Sequence, residues 1–235
     1  MEIVTVKERP SFKGNLYRFL NKGLERDFIR RESYERVVLS DPNQEDDLIL
    51  LALDGGEIVG ALVGVRRLRE PREMVEPHKG IAWIKALAVH PEHRGGAVFD
   101  EMYGYFEDRV RELGVSKVRF SDFASWYFFP GLYVGYDYYL EKLISRGFRK
   151  VDEVVDYELD LASFKIPPLV RGREEELRRR NVILRRPSKG ERNEVVAWVR
   201  ENFSPFWAYE VGREFEGGEV RVWICEEGGE ILGFS

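Results

Sequence analysis

The spacing of apolar residues along the chain changes several times, and each change predicts an element. Residues 3–6, 47–53 and 58–66 are short, β-branched or aliphatic runs, and Gly55-Gly56 between the last two supplies the positive φ angles of a tight hairpin. Residues 81–89 are almost continuously apolar, the pattern of a strand covered on both faces. Residues 98–113 return to helical periodicity with Gly114 as C-cap, and 136–145 do so again before Gly147. One or two helices are expected over 12–38, a strand over 117–121, an aromatic loop over 123–133 and a final strand region over 148–161.

Part of this pattern recurs. Asp54-Gly55-Gly56-Glu57-Ile58-Val59-Gly60 returns 173 residues later as Glu227-Gly228-Gly229-Glu230-Ile231-Leu232-Gly233, each copy following an apolar stretch. Upstream, residues 3–6 followed by Pro10-Ser11 are echoed by 182–184 followed by Pro187-Ser188, at an offset of 177. Two echoes in the same order at nearly one offset point to a duplicated unit. The expected division is a first domain over 1–165, a charged connector over 166–180 containing Pro167-Pro168, and a partial second unit over 181–235 made of a strand, helices and a hairpin. The hairpin strand at 231–234 has no predicted neighbour, so this segment is expected to dock or to mediate homo-oligomer formation.

Composition narrows the function. The chain has 235 residues, 43% hydrophobic and 34% charged, which suits a folded protein with a sizeable core. Its 37 basic and 42 acidic residues leave a net charge of -5, which offers no general attraction for nucleic acid or anionic membrane. The arginines at 171–186 are interleaved with Glu174, Glu175 and Glu176, which reads as a solvated connector. A single cysteine, Cys225, excludes an intrachain disulfide and a cysteine-cluster metal site, and no metal is expected; His90 and His93 bracket Pro91 in a turn instead of lying at helical spacing. Met1-Glu2 followed by Lys7 does not open like a secretory leader, so a cytoplasmic location is expected.

The chemistry concentrates after the buried strand. Pro91 marks a short turn, Arg94-Gly95-Gly96 follows, and a helix starts near Val98. Glycines ahead of a helix let backbone N–H groups converge where the helix dipole is positive, and Arg94 adds forked donors, so the turn suits an anion such as phosphate. Neither the Gly-x-x-x-x-Gly-Lys cradle nor a complete Gly-x-Gly-x-x-Gly is present.

The run from Leu87 through Ala88, Val89, Pro91, Arg94, Gly95, Gly96, Ala97 and Val98 resembles the signature of the GNAT acyltransferase superfamily, Leu-x-Val-x-Pro-x-x-Arg-Gly-x-Gly-x-Gly. The resemblance covers 1–161 as one unit and 181–235 as the opening of a second, a tandem arrangement. It implies an α/β (α+β) fold with a mixed, mostly antiparallel central sheet flanked by helices. It also implies acetyl-CoA or another acyl-CoA as co-substrate, held by Leu87, Ala88 and Val89 along the strand and by Arg94, Gly95, Gly96, Ala97 and Val98 at the pyrophosphate. The implied activity is N-acyl transfer to a small amine or a protein amino group.

The departures are specific. Ala97 and Phe99 replace the signature's later glycines, and the bulk of Phe99 is expected to crowd the turn. Trp83 occupies the position where many members carry a carboxylate base, and Leu143 the position of their tyrosine acid; Tyr136 and Tyr139 are the nearby candidates to face the cofactor. The catalytic residues therefore stay unassigned. The alternative is a degenerate unit that binds CoA or serves as a scaffold without efficient catalysis.

Overall fold

The computed structural model describes residues 1–235, which form two compact units, Met1–Val154 and Val155–Ser235. In the first, five strands lie in chain order: β1 (Glu2–Thr5), β2 (Ile49–Asp54), β3 (Glu57–Arg66), β4 (Ile81–Val89) and β5 (Lys117–Phe120). The first three pairings are antiparallel and the last is parallel. A parallel neighbour needs a crossover, and α3 (Val98–Glu112) supplies it between β4 and β5.

Both faces of the sheet are covered, which explains why β4 is buried along nearly its whole length. Helix α1 (Leu16–Gly23) turns Leu16, Phe19, Leu20 and Gly23 inward at helical spacing. Its last residue lies on Ala88: a side chain at Gly23 would bring Cβ within 2.7 Å of the Ala88 Cβ. Strand alternation puts Val89 on the opposite face, together with its register partner Gly60, and α3 packs there. A Cβ at Gly60 would meet Val98 at 2.7 Å, and one at Gly64 would overlap the Phe106 ring, so these glycines let the helix approach. Helix α2 (Arg31–Tyr34) continues into a π turn over Glu35–Leu39, and α4 (Asp137–Ser145) buries Tyr139 and Leu143.

The second unit has its own core, with Val195 and Val199 of α6 (Arg192–Asn202), Ala208 and Val211 of α7 (Pro205–Glu214), Phe215 and Ile224. Its sheet runs in the order β6 (Ile183–Arg185), β7 (Ile224–Glu227) and β8 (Glu230–Phe234). The two Gly-Gly hairpins have similar backbone geometry. Gly228 and Gly229 have φ of 62° and 89°, against 56° and 87° at Gly55 and Gly56. The register slips between Cys225 and Glu226 just as it does between Ala52 and Leu53, again 173 residues apart. Helix α5 (Pro168–Arg179), which falls on the expected charged connector, buries none of its side chains and is laced by pairs such as Arg178–Glu174 at 2.7 Å.

One expected element does not form. Residues 148–161 make no sheet ladder, and the strand pattern there is left without a partner. No helix is long and apolar enough to cross a membrane.

Candidate functional site

The site begins with a defect in β4. Val63 pairs with Ala86 and Gly64 with Ile84, so Lys85 is an extra residue and the strand bulges there. On the other side, the ladder to β5 ends at Ile84–Phe120, followed only by Ser121 donating its N–H to the Ile84 carbonyl at 2.9 Å. From Lys85 onward β4 has no strand neighbour on that edge. His90 donates to the Val59 carbonyl of β3 at 2.9 Å, so alternation turns the backbone of Ala88 toward β3 and that of Val89 and Leu87 to the open edge. The end of this edge is plugged: Val89 N–H donates to Tyr139 Oη at 3.0 Å, and Tyr139 donates to the Gly23 carbonyl at 2.7 Å. Burial raises the Tyr139 pKa. Of the three expected strand contacts, Leu87 and Val89 therefore present backbone groups to the open edge. Ala88 instead packs against α1.

The turn follows directly. Gly96 N–H closes on the His93 carbonyl at 3.1 Å, whereas the N–H groups of Gly95, Ala97 and Val98 have no acceptor within the protein. Ala97 is the N-cap of α3 and no side chain caps the helix. These are the groups that an anion satisfies at a helix N-terminus. Neither Gly95 nor Gly96 has positive φ, and a Cβ at Gly95 would touch nothing, so the fold does not itself require glycine at that position. Their smallness leaves the turn open to a close approach from outside.

Arg94 is less free than its place in the signature suggests. Its guanidinium makes a forked pair with Glu25, at 2.8 Å and 2.7 Å, and donates to the Gly23 carbonyl at 2.9 Å. The pair raises the Arg94 pKa and lowers that of Glu25. Asp100, in the first turn of α3, is drawn to Lys142 of α4 and to Arg146, the helix's C-cap, and its pKa is lowered chiefly by the Lys142 bond. These two cations offset the Asp100 charge at the start of α3.

Phe99 does not crowd the turn. Its ring is fully buried, stacked on Tyr103 at 5.9 Å and edge-on to Tyr138 at 6.3 Å. In the first turn of a helix the side chain projects away from the converging N–H groups, so the signature's glycine can be replaced by a core residue.

The positions expected to carry acid and base hold other chemistry. Trp83 is buried against His78 at 5.0 Å and Phe123 at 5.1 Å, with its indole Nε1 unbonded. His78 accepts from Arg67 Nε at 3.1 Å, and burial lowers its pKa. Lys85, wholly buried on the bulge, donates to the Val37 carbonyl at 2.6 Å, Asp41 Oδ2 at 2.5 Å and Gln44 Oε1 at 3.2 Å. Burial pulls its pKa down to about 8 despite the Asp41 pair. Leu143 is buried, and Tyr136 accepts from the Arg26 N–H at 2.8 Å. No group of three or more His, Cys, Asp and Glu side chains is arranged to hold a metal ion. Glu25 and Asp41 are the residues that sequence reasoning missed: each meets its partner across more than 40 residues of chain, and no local spacing encodes that.

A mixed sheet with a bulged, one-sided fourth strand that leads into an open helix N-terminus is the frame of an acyltransferase of the GNAT type. Residues 16–129 match the family model of the acetyltransferase (GNAT) family, and the first unit belongs to that family. Among solved structures, the chain is similar to the glucosamine N-acetyltransferase region of a fungal multi-domain GH3 β-N-acetylglucosaminidase. That match has a TM-score of 0.73 and 17% identity, and covers 99% of this chain but 27% of the other. An aminoglycoside acetyltransferase from an uncultured soil metagenomic sample, solved with sisomicin, matches at TM-score 0.45 and 19% identity, over 68% of this chain and 94% of that one. The search of curated proteins found no match.

Proposed function

We propose that the first unit is an acyl-CoA-dependent N-acyltransferase that moves an acetyl group from acetyl-CoA to an amine. The observation that carries this reading is the uncapped start of α3, with free N–H groups at Gly95, Ala97 and Val98, next to the open edge of β4. The turn N–H groups fit a pyrophosphate, and the Leu87 and Val89 backbone fits the amide-bearing arm of such a cofactor added as a strand. Acetyl-CoA, when bound, supplies the thioester that the amine attacks. Val89 N–H would help to hold that arm, and the Tyr139 hydroxyl that it now bonds, kept protonated at neutral pH because burial raises its pKa, would lie at the end of the strand.

Neither Trp83 nor Lys85, at and beside the position expected for the base, can take the amine's proton as it stands. Trp83 is an indole packed between His78 and Phe123, and Lys85 is held as an ammonium by three acceptors. The amine must therefore arrive deprotonated, and turnover should climb with pH along the acceptor's own ionisation instead of levelling near neutrality. The same feature, with Glu25 on Arg94, supports a second reading, a CoA-binding unit that catalyses little.

Free-thiol release with acetyl-CoA over a panel of amines separates the two. Amino sugars head the panel because the chain is similar over nearly its whole length to a glucosamine N-acetyltransferase region. Ala97→Asp is the control for the site. An exposed carboxylate there supplies the missing cap and repels phosphate, so CoA binding by calorimetry should be lost with no fall in melting temperature. Unchanged CoA affinity in this variant would refute the assignment of the turn.

A further inference from the structure

The outer side of α1 and the link to α2 carry a charge pattern that the candidate site does not use. Arg18, Lys22, Arg26 and Arg30 follow one another at intervals of four residues, all are exposed, and none makes an ion pair. The two acids within residues 16–31 are directed elsewhere: Glu25 forks onto Arg94, and Asp27 faces the Tyr136 hydroxyl. Arg18 and Lys22, one turn apart on α1, repel each other, so the fold itself gains nothing from this spacing.

Local contacts gather these cations into a band. The Asn21 side chain donates to the Ile29 carbonyl at 2.9 Å and accepts the Ile29 N–H at 2.8 Å, which folds the link back onto α1 and returns Phe28 and Arg30 to the neighbourhood of Lys22. Tyr34 of α2 lies against Tyr17 with ring centroids 5.9 Å apart, and the Tyr17 hydroxyl accepts from Arg18 at 3.4 Å. Phe28, between Arg26 and Arg30 in sequence, is 77% exposed and adds an apolar surface. The band borders the candidate site, because Gly23, next to Lys22, lies on Ala88 of β4 and its carbonyl accepts from Arg94 and Tyr139. Charge is screened within about 8 Å at physiological salt, so a ligand docked here feels these cations more than the net charge of -5.

We propose that this band docks the acidic side chains of a polypeptide whose free amine is the acyl acceptor, with Phe28 covering an apolar side chain beside them. Charge complementarity selects the partner: aspartate and glutamate match the open cations, whereas a polyamine is repelled. The neighbouring site needs a basic amine, which an acidic peptide carries and a nucleic-acid backbone does not. The pyrophosphate of acyl-CoA is matched instead by the free N–H groups of the turn. The inference rests on the acyl-transfer reading and adds the class of acceptor to it.

The test is fluorescence anisotropy of a peptide of alternating Glu and Ala, labelled at its C-terminus and with a free N-terminal amine, titrated with the full chain without an acyl donor. This peptide should bind, more weakly as salt rises, and the corresponding peptide of Lys and Ala should not. Lys22→Glu and Arg30→Glu should each weaken binding by about tenfold and raise KM for the peptide in thiol release. Neither side chain bonds within the chain, so CoA affinity, melting temperature and thiol release with ethylamine should not change. Equal binding of the two peptides, no binding of the acidic one, or unaltered affinity in both variants overturns the proposal. A fall in CoA affinity in the variants also overturns it, because the band would then serve the cofactor. Thiol release with ethylamine but none with the bound peptide does the same, whereas release with no amine at all refutes the acyl-transfer reading and is seen apart from the binding result.

Discussion

Phe99 shows how far a signature can be read without its surroundings. Its ring belongs to the core between α3 and α4, so Phe99→Gly, which restores the family residue, should destabilise the first unit by about 3–5 kcal/mol in denaturant titrations without tightening CoA binding. Lys85 gives a second expectation, in pH. Its folded pKa of about 8 lies below the usual 10.5 because burial disfavours the charged form. The unfolded chain then binds more protons between those values, so this group makes stability rise with pH across about 8 to 10.5 and contributes no slope below. Lys85→Met should lose that slope in unfolding measured across the window. It should also be less stable by about 3–5 kcal/mol at neutral pH, since Asp41 is left buried without its cation.

Among the elements, what is set by local pattern was legible and what is set by distant partners was not. The Gly-Gly hairpin, the apolar β4, the helix closed by Gly114 and the uncapped turn follow from spacing and turn chemistry within a few residues. The bulge at Lys85, by contrast, depends on Asp41 and Gln44, which no periodicity ties to it. The strand expected over 148–161 does not form, because a ladder needs a neighbour and pattern alone cannot provide one. The link between α1 and α2 is the case with functional weight. Arg94 and Tyr139 both bond Gly23, Glu25 pairs with Arg94, and Arg26 bonds Tyr136, so this link is fastened to the turn and to α4. If phosphate must compete with Glu25 for Arg94, then Glu25→Gln should tighten CoA binding by about tenfold in calorimetry at low salt, with the gain shrinking as salt rises. Weaker binding would instead show that Glu25 holds Arg94 in its useful position.

For the whole molecule, the two cores have separate memberships, one around Phe106 and Leu62 and the other around Val199 and Ile224. Unfolding followed by calorimetry should therefore depart from a single two-state transition, with Phe106→Ala and Val199→Ala each lowering a different component. The chain also carries its own control. The same Gly-Gly turn is built twice, with φ angles that agree within a few degrees and with empty space around every added Cβ. Alanine at Gly55 and at Gly228 would thus impose the same backbone penalty, about 1–2 kcal/mol for a left-handed residue. Any difference between the two measured costs cancels everything local and leaves only how stiffly each sheet holds its hairpin, so a single molecule can compare a five-stranded and a three-stranded frame under identical conditions.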